Sequence, residues 1–158
     1  KADDISVVIH PQSMIHSMVQ YVDGSVIAQL GQPDMRTPIA YGLAYPNRIE
    51  AGVAPLDFST MSQFTFDTPC YDRYPNLKLA IDACKAGQTA TTRLNAANEE
   101  SVAAFLAGRI SFTQIAQVNE ETLNRLEPLH VSSLQQILEQ DGLARHTAQR
   151  VIRGASTC

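Results

Sequence analysis

The sequence predicts an α+β chain: a truncated β-sheet or hairpin segment followed by a small α-helical bundle. Three observations carry this prediction. Apolar and polar residues alternate on both sides of Asp23-Gly24, at the period of a strand. Gly52, Pro55, Pro69 and Pro75 punctuate a middle stretch with little pattern. Beyond residue 75, apolar residues recur at helical spacing between glycine stops.

In chain order, ISVVI (Ile5 to Ile9) is β-branched and reads as a buried strand. After Pro11, SMIHSMVQY alternates: Met14, His16, Met18 and Gln20 face one way, Ile15, Ser17, Val19 and Tyr21 the other. Asp23-Gly24 then signals a type I′ hairpin turn, and Ser25 to Gly31 is the return strand. A two-residue loop pairs Tyr21 with Val26 and, further down, His16 with Gly31. That register gathers Ser13, His16, Pro33 and Met35 at one end of the hairpin.

Asp34 to Pro46 reads as a short helix, with Asp34 as N-cap and Pro46 as stop. From Asn47 to Tyr74 only SQFTF alternates like a short strand, and the stretch reads as a linker. Four helical segments follow. Asn76 to Ala86 places Leu77, Ala80, Ile81 and Cys84 on one face, and Gly87 ends it. Thr89 to Ala107 is longer and stops at Gly108. Thr113 to Leu126 ends before Pro128. Ser132 to about Arg153 continues as helix, with a break near Gly142 allowed for. Short loops between such helices make a small bundle.

Bulk composition narrows the function. The chain has 158 residues, 44% apolar and 18% charged, enough to bury a core. Its net charge of -4 argues against a nucleic-acid partner. No apolar run reaches the roughly 18 residues of a membrane span. Cys70, Cys84 and Cys158 are an odd, widely spaced set, which suits free thiols in a reducing, cytoplasmic compartment. KADDISVVIH lacks an initiator Met and a signal-peptide layout, so the sequence reads as a fragment.

Candidate chemistry is sparse. His10 and His16 lack the third and fourth ligand that a zinc site needs, so strand histidines with hydrogen-bonded rings are the better reading. Ser13 near His16 has no GxSxG elbow or oriented third group and is not read as a hydrolase pair. A hydroxyl and an imidazole suit an anionic ligand better. Pro33 and Met35 alone read as ordinary packing. The pairs Asp3-Asp4, Glu99-Glu100 and Glu120-Glu121 read as solvated charge. LNAANEESVAAFL places Asn95, Asn98 and Glu99 on a small-residue helix, read as a tight contact with amides satisfied by backbone. No GxGxxG and no P-loop is present.

The run VVIHPQSMIHSMVQYVDGSVIAQLGQPDMRTPIAYGLAYP resembles the later half of the central domain of the 1-deoxy-D-xylulose 5-phosphate reductoisomerase family. PLDF, YDRYPNLKLA and TTRLNAANEESVAAFLAGRISFTQIA continue the resemblance in order, from about Ile5 to Arg153. It implies an oxidoreductase and isomerase of isoprene biosynthesis by the methylerythritol phosphate route. That enzyme converts 1-deoxy-D-xylulose 5-phosphate to 2-C-methyl-D-erythritol 4-phosphate, with NADPH as hydride donor and Mg2+ or Mn2+ on the substrate.

It further implies that residues 1–46 end a central catalytic and dimerisation domain, 47–74 link, and 75–158 form a carboxy-terminal helical domain. Ser13 and His16 are implied to bind the sugar-phosphate substrate, and Pro33 and Met35 to meet a closing active-site lid. A homodimer is implied through the sheet around Asp23-Gly24. The glycine-rich nucleotide fingerprint, acidic metal ligands, mobile loop and Lys/Asn phosphate contacts lie upstream in family members. No complete catalytic set, no cofactor site and no metal site is therefore expected within these residues, and the chain alone is expected to be inactive. The alternative is a non-catalytic structural module that associates with itself through its exposed sheet.

Overall fold

The computed structural model of the chain describes residues 2–127 and 129–155. Pro128, expected beyond a helix end, and Cys158, expected as a free thiol, lie outside the described residues. Two compact units are present. One is Val7–Pro69, and the other joins the described residues of Lys1–Ser6 to those of Cys70–Cys158.

In the first unit, β1 (Ile15–Gln20) and β2 (Val26–Leu30) form an antiparallel hairpin, as the Asp-Gly signal predicts. The register differs from the expected one: Gln20, rather than Tyr21, pairs with Val26. The turn is the reason. A type I′ loop needs positive φ at both central residues, and of the turn residues only Gly24 has it, at +86°. The Gly24 N–H instead donates to the Tyr21 carbonyl at 3.0 Å, and the Tyr21 N–H donates to the Ser25 carbonyl at 2.9 Å. The loop is thus three residues long, with glycine in the left-handed position. Asp23 Oδ1 accepts both the Ser25 N–H (2.9 Å) and its hydroxyl (2.6 Å), which holds the Asp23 carboxyl below the usual range.

A second irregularity falls between Ile15 and Ser17, where the register shifts again. His16 is the extra residue of this β-bulge. It therefore does not oppose Gly31, whose N–H donates to the Met14 carbonyl at 3.0 Å. Ile5 to Ile9 forms no strand: only Ile9 pairs, with Asp67, and Ile5 is 70% exposed. SQFTF also forms no strand, and the bridge lies just beyond it. A β-branched run makes no ladder unless a neighbour pairs with it.

The short helix α1 (Arg36–Ala44) starts one residue later than expected, with Met35 rather than Asp34 at the N-cap position. Asp34 still serves the helix start, because its Oδ1 accepts the Arg36 N–H at 2.9 Å. Residues 47–69 carry no helix or strand element, yet they return to the beginning of the unit. His10 Nδ1 donates to the Thr65 carbonyl at 2.9 Å, and the Gln12 amide donates to the Thr65 hydroxyl at 2.8 Å.

The second unit holds α2 (Pro75–Ala86), α3 (Ala90–Leu106), α4 (Phe112–Asn124) and α5 (Leu134–Ala155). Pro75 opens α2, where a missing N–H costs nothing, and Gly87 closes it at φ +65°. Ser111 precedes α4, and its N–H donates to Gln114 Oε1 at 2.6 Å, one half of a capping box. Helix α5 runs through Gly142 without a break. In α2 the buried position is Ala83, whereas Ala80 and Cys84 are exposed. Leu77 and Ile81 of the expected face are half-buried, and Asn76, which the apolar period ignores, accepts a hydrogen bond from Asn119 at 3.0 Å.

The core is built on small residues. Ala97 and Ala104 of α3 and Ala148 of α5 let the helices approach closely around Ile110, Ile115, Val118 and Ile152. Asn119, 1% exposed, uses its amide fully: it donates to Asn76 Oδ1 and Asn98 Oδ1 and accepts from the Ser101 hydroxyl, each at 3.0 Å. The α3 amides therefore pair mainly with side chains, not with backbone as expected. Asn95 Nδ2 reaches Glu99 at 3.4 Å. Arg145 ties α5 to α3 through Glu99 (2.6 Å) and Glu100 (3.4 Å), and its bonds to Asp141 (2.7 Å) and then Glu99 raise its pKa, so the guanidinium stays charged.

Candidate functional site

Ser13, His16, Pro33 and Met35 line one cleft of about 640 Å3 in the first unit. The sequence places them together for a partly wrong reason, since the register that was expected to do so is offset. What brings them together is local. The Ser13 N–H donates to the His10 carbonyl at 3.0 Å, closing a turn with Pro11 at its second position. Ser13 leaves that turn at φ +53°, a left-handed conformation that costs a non-glycine residue about 1 kcal/mol. The bulge at His16 then turns its side chain out of the regular alternation.

The imidazole is oriented by its neighbour strand. Gln29 Nε2 donates to the Leu30 carbonyl at 3.2 Å, which fixes the amide so that Oε1 faces His16 Nδ1 at 3.1 Å. Because that oxygen only accepts, Nδ1 carries the proton. The Nε2 atom remains available, as a lone pair on the neutral ring or as a donor on the imidazolium.

The opposite side of the cleft comes from β2's end and α1. Met35 is 70% exposed, and Pro33 is also exposed, so neither is ordinary packing. Asp34 also lines the cleft. The Arg36 guanidinium meets its carboxylate at 2.6 Å and holds it down to about 2. Tyr41 and Arg48 complete the lining, with Arg48 Cζ 3.9 Å from the Tyr41 ring centroid. Gln29, Tyr41 and Arg48 were not singled out from the sequence. Gln29 is an ordinary strand polar residue, and Arg48 lies where no period exists to orient it.

His10 does not join the cleft. Its ring stacks on Phe66 (centroids 5.0 Å apart) and meets Phe64 edge-on at 5.7 Å. Its bond to Thr65 makes it the hydrogen-bonded structural histidine that the sequence suggests. Among the described residues, no group of three or more His, Cys, Asp or Glu side chains could hold a metal ion. The cleft itself offers one carboxylate, already paired, so its residues do not fit a Mg2+ or Mn2+ site. The arrangement can present a hydroxyl, an imidazole and a guanidinium to an anionic, oxygen-rich ligand, with Met35 and Pro33 against its apolar parts.

The family described as DXP reductoisomerase C-terminal domain matches residues 30–147. The 1-deoxy-D-xylulose 5-phosphate reductoisomerase of Shewanella loihica is 61% identical over 147 residues, covering 93% of this chain and 37% of that protein. That of Aeromonas salmonicida is 60% identical over 154 residues, 98% of this chain and 39% of the relative. The solved reductoisomerase of Zymomonas mobilis, in complex with NADPH, superposes with a TM-score of 0.81 at 46% identity, over 92% of this chain and 38% of that one. A DOX-P reductoisomerase in complex with NADPH, fosmidomycin and magnesium gives 0.82 at 44% identity, over 92% of this chain and 38% of that one. The chain thus spans less than two fifths of the length of these relatives.

Proposed function

The chain belongs to the DXP reductoisomerase family, matching its C-terminal domain, and from that premise we propose that it serves the reductoisomerase reaction as the carboxy-terminal part of the enzyme. In this reading the whole enzyme isomerises 1-deoxy-D-xylulose 5-phosphate and reduces it with NADPH to 2-C-methyl-D-erythritol 4-phosphate. NADPH and a divalent cation, Mg2+ or Mn2+, are held by the part of the enzyme outside these residues. NADPH supplies the hydride when bound.

The single observation that carries the reading is the cleft, which gathers Ser13, His16, Pro33 and Met35 on one short hairpin and helix start. Ser13 and His16 bind the sugar-phosphate on its phosphate side: the hydroxyl donates from a turn that fixes its direction, and His16 Nε2 faces the ligand because Gln29 occupies Nδ1. Pro33 and Met35 meet a closing lid and exclude water from the reacting end. Residues 1–46 belong to a central catalytic domain and 75–158 to a helical domain, with 47–74 connecting them. The 158 residues alone do not catalyse, since hydride transfer needs cofactor, metal and substrate held together. Exposed free thiols at Cys70 and Cys84 suit a cytoplasmic location.

The test is Ser13→Ala and His16→Ala in the full-length enzyme that carries this chain. Each should weaken apparent substrate binding by about 1–3 kcal/mol, seen as a raised KM. Unchanged KM and kcat for both variants would remove the pocket assignment.

A second reading concerns self-association, and one observation favours it. Val19, Val26 and Ile27 on the two strands are more than half exposed, at 56%, 53% and 63%. Apolar strand residues left open invite pairing with a second copy, which in the whole enzyme serves a homodimer. Light scattering on the chain checks this, and a strictly monomeric species would count against it.

A further inference from the structure

Residues 64–67 form no ladder, yet they grip the turn that carries Ser13. Thr65 is the centre of that grip. Its carbonyl accepts from His10 Nδ1 at 2.9 Å, and its hydroxyl accepts from Gln12 Nε2 at 2.8 Å. Its N–H donates to Gln12 Oε1 at 3.3 Å, so one amide side chain holds both the hydroxyl and the backbone of Thr65. Two residues further on, Asp67 exchanges two backbone bonds of 2.9 Å with Ile9. The His10 ring lies against Phe64 and Phe66.

This bracing falls where the backbone needs it. His10 and Gln12 are the first and third residues of the turn that the Ser13 N–H closes on the His10 carbonyl, and Pro11 between them has its φ fixed by its ring. Ser13 is the fourth residue, at φ +53°. A non-glycine residue keeps such a conformation only where its surroundings impose it. Among the described residues no hydrogen bond of its own directs the Ser13 hydroxyl, so the backbone is what aims it.

We propose that Thr65 and Gln12 are positioning residues for substrate binding: their paired side chains hold the turn in the shape that presents the Ser13 hydroxyl to the cleft. The proposal rests on the reading of Ser13 as a substrate-binding residue. Neither Thr65 nor Gln12 lines the cleft, so each acts through Ser13. A stretch without helix or strand thereby reaches the site from 53 residues away in sequence.

The experiment uses the full-length enzyme with Thr65→Val, Thr65→Ser and Gln12→Met, each first checked for an unchanged thermal melt. Thr65→Val keeps the shape and the backbone groups and removes the hydroxyl, whereas Gln12→Met keeps the length and removes the amide. Each should raise KM for 1-deoxy-D-xylulose 5-phosphate about 3- to 10-fold, with kcat within about twofold, the range of one or two neutral hydrogen bonds. Thr65→Ser retains the hydroxyl and should bring KM back to within about twofold of the parent. A general loss of stability would not depend on Ser13, so the decisive readout is a double-mutant cycle. In a Ser13→Ala background, Thr65→Val should change KM by less than about twofold, because the hydroxyl it aims is gone. The Ser13 N–H should also exchange with solvent faster in Thr65→Val and Gln12→Met than in the parent, and parental exchange in both would remove the brace. Parental KM in both folded variants, while Ser13→Ala raises KM, overturns the proposal and leaves the reading of the cleft standing. Full additivity with Ser13→Ala also overturns it, since the pair then acts elsewhere. If Ser13→Ala itself leaves KM unmoved, the reading of the cleft fails first and the proposal falls with it.

Discussion

Replacing Arg93 by Met should cost the helical unit about 3 kcal/mol, and the figure follows from its surroundings. Arg93 lies on α3, is 3% exposed, and donates to the Leu126 carbonyl at 3.0 Å and to the Glu127 carbonyl. Its Nε and Nη2 both donate to Gln140 Oε1 on α5. One side chain thus satisfies three acceptors beyond α4 and on α5. Thr89, just before α3, assists by accepting the Leu129 N–H at 3.0 Å. Each acceptor left unmet costs about 1–3 kcal/mol. Against that stands the cost of burying the cation, which also lowers the Arg93 pKa. Methionine removes both, so the net loss is smaller than the sum of the three acceptors and falls near about 3 kcal/mol.

Urea unfolding followed by far-ultraviolet circular dichroism measures it, as a shift in midpoint at constant slope. For a chain of this size the thermal midpoint should drop by roughly 6–12 °C. Arg93→Lys should recover about half of the loss, since one ammonium cannot span both the loop carbonyls and Gln140. An Arg93→Met chain as stable as the parent would show that burial of the guanidinium cancels its bonds, and the clamp would be energetically idle.

Two further outcomes are expected. Ile152→Ala, at a position 2% exposed in the core of α3, α4 and α5, should destabilise by about 2–5 kcal/mol in the same assay, and a loss below about 1 kcal/mol would remove Ile152 from the core. The Asp34 carboxyl should titrate at about 2 by NMR, below its ordinary 3.8, chiefly through its hydrogen bonds from Arg36. Because the folded value is the lower one, its contribution to stability is fully present above the ordinary value and is lost as pH falls through about 2. Arg36→Met should return the midpoint toward 3.8, and a parental midpoint already there would contradict the pairing.

The elements that could be read in advance are those whose signal is local. Asp23-Gly24 announces the hairpin, and Gly87 and Gly108 end helices where they stand, both at positive φ. What escaped depends on φ values and partners that composition does not encode. Asp23 shares no positive φ with Gly24, which moves the register by one, and nothing in IHS marks His16 as a bulge. Ile5 to Ile9 has strand composition, but only Ile9 finds a partner. The apolar period of α2 overlooks Asn76, which accepts a hydrogen bond from the buried Asn119. In the cleft, Ser13, His16, Pro33 and Met35 were legible as a cluster. Arg48 was not, because it comes from the patternless stretch and is held by a ring rather than by a charge.

The central claim is that these residues form one wall of a reductoisomerase site and contribute to catalysis only with the rest of the enzyme. The most direct measurement is NADPH oxidation with 1-deoxy-D-xylulose 5-phosphate and Mg2+, comparing the pure 158-residue chain with the full-length enzyme. The account predicts no rate above the blank for the chain and a substrate-dependent rate for the full-length enzyme. A sustained, substrate-dependent rate from the chain alone would contradict it.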